Sequence, residues 1–233
     1  MENIDFKWKH YQPEIIMVCV RWYLKYALSY RNLEEIMLER GIEVDHTTIM
    51  RWVNQYSPEI NKRIRKYLNK TNDSWRTDET YIKVKGKWTY LYRAVDSNGD
   101  TIDFMLSKKR DKKAAKKFFK KALRSVHNKI PRVINVDKNI AYPPAIDKLK
   151  EHNKLPEKTE LRQVKYLNNI VEQDHRAIKR IIKPMMGFET FTSASKTIQG
   201  IEAMNMIRKG QVLDNKSVLF EVEFVNQLFG IAS

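Results

Sequence analysis

The stretch Trp75-Arg-Thr-Asp78-Glu-Thr-Tyr81-Ile-Lys-Val84, then Lys85-Gly86-Lys87, then Trp88-Thr-Tyr-Leu-Tyr-Arg-Ala-Val95 decides how this chain folds. Its first part alternates in side-chain character, its second is aromatic and β-branched, and a glycine-centred turn divides them. That pattern predicts two antiparallel strands. Ser97-Asn98-Gly99 provides another turn, and Thr101 to Leu106 continues as a third strand, completing a meander.

Working downstream, Ala115, Phe118, Phe119, Ala122, Leu123 and Val126 mark one face of a helix. Its other face carries Lys112, Lys113, Lys116, Lys117, Lys120 and Lys121, read as a solvated face or as a contact to a DNA backbone. Pro131 leads into Val133 to Val136, a short buried strand. Pro143 and Pro144 introduce a short helix, Leu161 to Val164 reads as a strand, and Asn169 opens a long helix through about Ile182. The order is α/β and is that of a ribonuclease-H-like (retroviral-integrase-type) core, a mixed sheet flanked by helices.

Upstream, residues 13–57 show helical periodicity in three segments. Pro13 opens the first, which runs to about Leu28. Ser29 is placed to cap the second, with Leu33, Ile36 and Met37 on one face and Gly41 just past its end. The third follows Asp45, places Ile49, Trp52, Val53 and Tyr56 at i, i+3, i+4 and i+7, and is expected to stop at Pro58. The turn from Gly41 to Val44 gives the last two segments the layout of a helix-turn-helix, although a plain three-helix bundle has the same periodicity. In the first reading the outward His46, Thr47, Met50, Arg51, Asn54 and Gln55 face a major groove, where Arg suits guanine and Asn or Gln suits adenine. Glu59 to Lys70 reads as a basic connecting helix. The expected organisation is an all-α helix-turn-helix domain over 1–71 and a catalytic α/β domain with a C-terminal tail over 72–233.

Forty-four Lys and Arg against 28 Asp and Glu leave a net charge of +16. A polyanion is the partner that best relieves such self-repulsion, so nucleic acid leads, with solvated lysine faces as the plainer explanation. Cys19 is the single cysteine, which excludes a disulfide framework and a cysteine-based zinc site and fits a reducing cytoplasm. No apolar run approaches the roughly 18 residues of a membrane span, and Met1-Glu-Asn-Ile-Asp5 lacks a signal-peptide pattern. A soluble, cytoplasmic protein is expected.

Three carboxylates stand out. Strand parity puts Asp78 with Thr80, Ile82 and Val84 on the apolar side, where an ionised carboxylate needs a partner or a metal, and puts Glu79 with Tyr81 and Lys83 toward solvent. Asp137 ends the buried run Val133–Val136, the end at which α/β folds place their chemistry, but it also fits a turn-forming aspartate. Glu172 fits the acid of a capping box with Asn169 as N-cap. Two strand-end aspartates and a helical glutamate can also converge on two divalent ions.

Together, Trp75-Arg-Thr-Asp78-Glu-Thr-Tyr81, Val136-Asp137-Lys-Asn139 and Lys165-Tyr-Leu-Asn-Asn169-Ile-Val-Glu172-Gln-Asp-His175-Arg176 resemble the DDE transposases of compact bacterial insertion sequences, specifically the insertion-sequence-six family. The 34 residues between Asp137 and Glu172 match that family's spacing. The tail segments Lys179-Arg-Ile-Ile-Lys-Pro184 and Gly200-Ile-Glu-Ala-Met-Asn-Met-Ile-Arg-Lys-Gly-Gln211 are also similar to it. The resemblance spans nearly the whole chain. It implies that Asp78, Asp137 and Glu172 are catalytic and bind two Mg2+ ions, replaceable by Mn2+, for 3′-end nicking and strand transfer, with replicative cointegrate formation. Lys179, two helical turns beyond Glu172, would contact terminal DNA, with Arg176 and His175, which face different directions, as further candidates. The implied partners are double-stranded DNA, as terminal inverted repeats and target, and a second copy of the chain. Val218 to Phe229 would join that dimer interface, or would close the core as a strand and helix.

Overall fold

Trp75 and its neighbours form β1 (Ser74–Val84), the middle strand of a five-stranded mixed sheet. β2 (Lys87–Asp96) and β3 (Thr101–Ser107) follow as the antiparallel meander, while β4 (Val133–Val136) lies parallel on the other side of β1 and β5 (Glu160–Gln163) parallel beyond it. The sheet order is β3-β2-β1-β4-β5. Lys85 and Gly86 both take positive φ, 48° and 74°, the geometry that lets a two-residue turn follow the twist of its strands. The computed structural model describes residues 4–7, 9–164, 169–213 and 215–231.

α4 (Lys112–Ala122), capped by Asp111, packs on this sheet with Ala115, Phe118, Phe119 and Ala122 buried as its periodicity predicts. With Trp75, Tyr92, Ile134 and Tyr142 they form the core, together with Ala145, Ile146 and Leu149 of α5 (Pro143–Glu151). α6 (Asn169–Ile182) buries Val171, His175 and Ile178, at i, i+4 and i+7.

α1 (Pro13–Lys25), α2 (Tyr30–Leu38) and α3 (His46–Ile64) form the N-terminal helices. Ser29 and Asn32 make a reciprocal capping box, and Asp45 caps α3 through Thr47 and Thr48. Pro58 does not end α3, which continues to Ile64. An interior proline costs about 3 kcal/mol, but Ile60 and Ile64 beyond it are fully buried, and two such side chains contribute roughly 1.5–3 kcal/mol each. Burial outweighs the local penalty.

The chain crosses between two compact units twice: Met1–Tyr67 joins Arg180–Ser233, and Leu68–Lys179 stands between them in sequence. This differs from a single boundary near Asn72. α7 (Phe191–Arg208) packs on α1 and α3, and Gly200 permits the close approach: a Cβ there would lie 2.6 Å from Leu24 Cδ1 and 2.7 Å from Ser57 Cβ. Val218–Leu228 is one helix, α8, with no strand, and closes the helical unit through buried Phe224, Val225 and Glu221. The Glu221 carboxylate accepts from Lys25 Nζ at 2.9 Å.

Candidate active site

β4 stops at Val136 while β1 runs on, so β1 has a free edge from about Thr77. Ser74, Trp75 and Arg76 pair with Val133, Ile134 and Asn135; extending that register brings Asp137 beside Asp78. Side chains from both faces of β1 reach the gap. Ligand oxygens of Asp78, Glu79 and Asp137 all lie within 4.8 Å of one another.

Asp78, Asp137 and Glu172 line one cleft of about 690 Å³ with Arg110, Lys138, Asn139 and Ile140. Glu172 is exposed on the first turn of α6, on the cleft but outside the tight group of three acids. Burial, with the nearby charges of Glu79, Asp137 and Glu172, pushes the Asp78 carboxyl up to about 7, against a lowering hydrogen bond from the Glu79 backbone. Hard oxygen donors crowded this closely in a largely buried site suit a divalent cation of the magnesium type.

Asp137 is held at both oxygens. Oδ1 accepts the Asn139 backbone N–H at 2.9 Å and Oδ2 accepts Arg110 Nη2 at 2.8 Å. Asp137 therefore organises its own turn, as its sequence position permits, and lines the cleft as well. The same Arg110 nitrogen donates to Glu79 Oε2 at 3.1 Å. Glu79 corrects the parity reading: its side chain is 2% exposed, against 19% for Asp78. β1 is a central strand covered on both faces here, and only at Tyr81 and Lys83 does this face open to solvent. Burial raises the Glu79 carboxyl and Arg110 opposes the rise. Glu79 and Arg110 are the site residues that sequence reasoning missed. Arg110 sits in Lys108-Lys-Arg110-Asp111, a charge run indistinguishable from a solvated loop.

α6 is fixed to the sheet by Arg93 of β2, fully buried, whose Nη2 donates to Asp174 Oδ2 at 2.5 Å. His175 lies behind Asp78, Nδ1 to Oδ2 3.7 Å, too long for a hydrogen bond. Burial, then Arg93 and Lys179, pulls its pKa down to about 3, so the imidazole is neutral. His175 is thus an interior residue and no candidate for DNA contact, whereas Arg176 and Lys179 are exposed on the side of α6 that carries Glu172. Asn169 is already helical rather than the N-cap, which moves Glu172 out of capping-box register. Residues 165–168 of the third motif lie outside the described residues.

In the helical unit, Thr47, Met50, Arg51 and Gln55 are exposed along α3, and His46 and Asn54 are half-buried. His46 Nδ1 lies 3.1 Å from Glu34 Oε2, Asn54 Nδ2 donates to the Met50 carbonyl at 2.9 Å, and Gln55 Oε1 accepts Lys9 Nζ at 3.0 Å. Among the described residues no helix is long and apolar enough to cross a membrane.

A family model described as a DDE domain matches residues 72–211, more than half of the chain. The transposase for insertion sequence-like element IS431mec of Staphylococcus aureus (strain Mu50) is 39% identical over 204 residues, 88% of each chain. The transposase for insertion sequence element IS257 in transposon Tn4003 of Staphylococcus aureus matches to the same extent. The HTLV-2 integrase catalytic core domain in complex with magnesium (trimeric form) aligns with a TM-score of 0.43 at 16% identity, over 56% of this chain and 84% of that one. On the family model and the extent of identity to the two staphylococcal transposases, the chain belongs to the DDE transposases of the insertion-sequence-six family and is a polynucleotidyl transferase.

Proposed function

We propose that this transposase nicks the 3′ ends of its insertion sequence and transfers them into target DNA, by the replicative route that forms cointegrates, in the bacterial cytoplasm. The convergence of Asp78 and Asp137 with Glu172 on one cleft carries this reading. Asp78, Asp137 and Glu172 would hold two Mg2+ ions, with Mn2+ as a substitute. Divalent cations held there would favour ionisation of the attacking water or 3′-hydroxyl and offset charge on the departing oxygen. The chain's own part is positional: the turn at Asn139 and the guanidinium of Arg110 fix the Asp137 carboxylate, and the Arg93–Asp174 pair fixes the helix bearing Glu172. The strand order, with an antiparallel meander extended by parallel β4 and β5, supports a ribonuclease-H-like core.

The reading extends to recognition. α2 and α3 would act as a helix-turn-helix on the terminal inverted repeats, reading bases through Thr47, Arg51 and Gln55, with His46 and Asn54 following release from their present partners. Lys179 and Arg176 would contact the terminal DNA beside the cleft. A homodimer would hold two ends together. The domain assignment becomes a DNA-binding helical unit interrupted by the catalytic unit.

The test is a joining assay with full-length protein and a labelled duplex carrying the element's end. Joined products are expected with magnesium, none with EDTA, and none from Asp137→Asn. Joining that persists in Asp137→Asn refutes the site.

A further inference from the structure

We propose that the β1–β2 hairpin carries a second DNA-binding site: an aromatic platform, Trp88 and Tyr81 edged by Lys83 and Lys85, that stacks an unpaired base of the strand leaving the acid cluster. This rests on the reading of the chain as a DNA-joining enzyme. The observation behind it is a gradient of exposure along one sheet face. Directly opposed residues share a face, so Glu79 with Tyr92, Tyr81 with Tyr90, and Lys83 with Trp88 form one ladder. Tyr92 is fully buried, Tyr90 half-buried, Tyr81 50% exposed and Trp88 63% exposed. The ladder starts at Glu79, beneath Arg110, and at about 3.4 Å per residue Tyr81 stands about 7 Å and Lys83 about 14 Å from it along the strand.

The rings are ordered among themselves. Tyr81 lies 5.5 Å from Tyr90, tilted at 56°, and 6.3 Å from Trp88, edge-on at 78°. At 63% exposure the indole keeps most of its surface open to solvent. A tryptophan so exposed calls for an occupant, and the charge around it selects among them. From Thr80 to Val95 there is no acidic residue, and Lys83 and Lys85 are exposed with no ion pair among the described residues. A second copy of a chain of net charge +16, or an apolar segment, is a poor match for that rim; a phosphate backbone with a base on the ring is a good one. Bases inside a duplex do not present their faces, so the platform selects DNA that is unpaired next to the reacting bond.

Full-length wild type, Trp88→Ala, Trp88→Phe and Lys85→Glu are compared by band shift on two element-end duplexes, one fully paired and one with a six-nucleotide unpaired flank. A 2-aminopurine in the flank reports stacking. Wild type is expected to bind the unpaired-flank DNA about tenfold more tightly, the scale of one stacked base, and to quench the 2-aminopurine. Trp88→Ala removes both effects, Trp88→Phe keeps most of each, and Lys85→Glu weakens the preference and its salt dependence. The assignment is overturned if Trp88→Ala keeps the wild-type ratio. It is also overturned if Trp88→Ala and Trp88→Phe lower both affinities equally with a fall in thermal midpoint, since the ladder is then only a hairpin brace. A change in sedimentation mass with the DNA ratio intact reassigns the face to a second copy. Wild type that joins ends while failing these tests loses only this site; wild type that joins none loses the reading beneath it.

Discussion

Replacing Arg110 by alanine should expose how the cleft balances its charge. Glu79 is nearly sealed from water, and Arg110 is its only ion-pair partner among the described residues. Without the guanidinium, the cheapest response is for Glu79 to take up a proton. From an ordinary value of 4.5, neutralising it at pH 7.5 spans three pH units at about 1.36 kcal/mol each, a ceiling of about 4 kcal/mol. The wild type already carries part of that cost, because Glu79 is raised even with Arg110 in place. The lost bond to Asp137, about a third exposed, adds less than about 1 kcal/mol. Arg110→Ala should therefore lose about 2–3 kcal/mol at pH 7.5. A raised carboxyl pKa means the folded chain retains a proton that the unfolded chain has released, so the loss grows as pH rises above 4.5. At pH 5.0 the same ceiling is only about 0.7 kcal/mol. Urea unfolding followed by tryptophan fluorescence at both pH values measures this. A loss equal at pH 5.0 and 7.5, or below about 0.5 kcal/mol at pH 7.5, refutes the reasoning. Millimolar magnesium should narrow the gap, since a cation bound at Asp137 replaces part of the missing charge.

Two further outcomes follow from packing. Gly200→Ala puts a methyl group into Leu24 and Ser57; overpacking of about 1–3 kcal/mol, partly offset by about 1 kcal/mol of helix propensity, should lower the thermal midpoint by a few degrees, and an unchanged midpoint would mean that α7 does not pack so closely. Cys19, fully buried and with its thiol pushed up to about 12 by desolvation, should resist Ellman's reagent at pH 8 until urea unfolds the chain; rapid reaction of the native protein would contradict its burial.

The sheet and most helices were legible because their signals are local. The turn at Lys85-Gly86, the alternation from Trp75 to Val84, and the caps Ser29 and Asp45 each act within a few residues. What was not legible depends on the partners of an element. Parity separated Asp78 from Glu79 correctly, but which face is covered depends on what packs over the sheet: Arg110 lies on Glu79, and Phe118 of α4 lies on Tyr92 opposite it. Pro58 reads as a stop unless the burial of Ile60 and Ile64 is known. His175 reads as an outward polar residue until α6 is laid on the sheet. Arg110 pairs with residues 31 and 27 positions away, and no short-range pattern encodes such a pair. The resemblance to transposases located the three acids; it did not reveal that a buried fourth acid and its arginine stand beside them.

The two crossings of the chain, near Tyr67 and Lys179, also set an order of events at the ribosome. Translation runs from the N-terminus, and domains commonly fold as they emerge. Residues 68–179 leave the exit tunnel as a complete unit while α3 still waits for α7, its main packing partner. Nascent chains arrested so that Lys179 has just cleared the tunnel while α7 is still inside it should therefore hold a protease-resistant sheet beside protease-sensitive N-terminal helices. On the proposed roles, the newborn enzyme would acquire the means to cut DNA before the means to choose where.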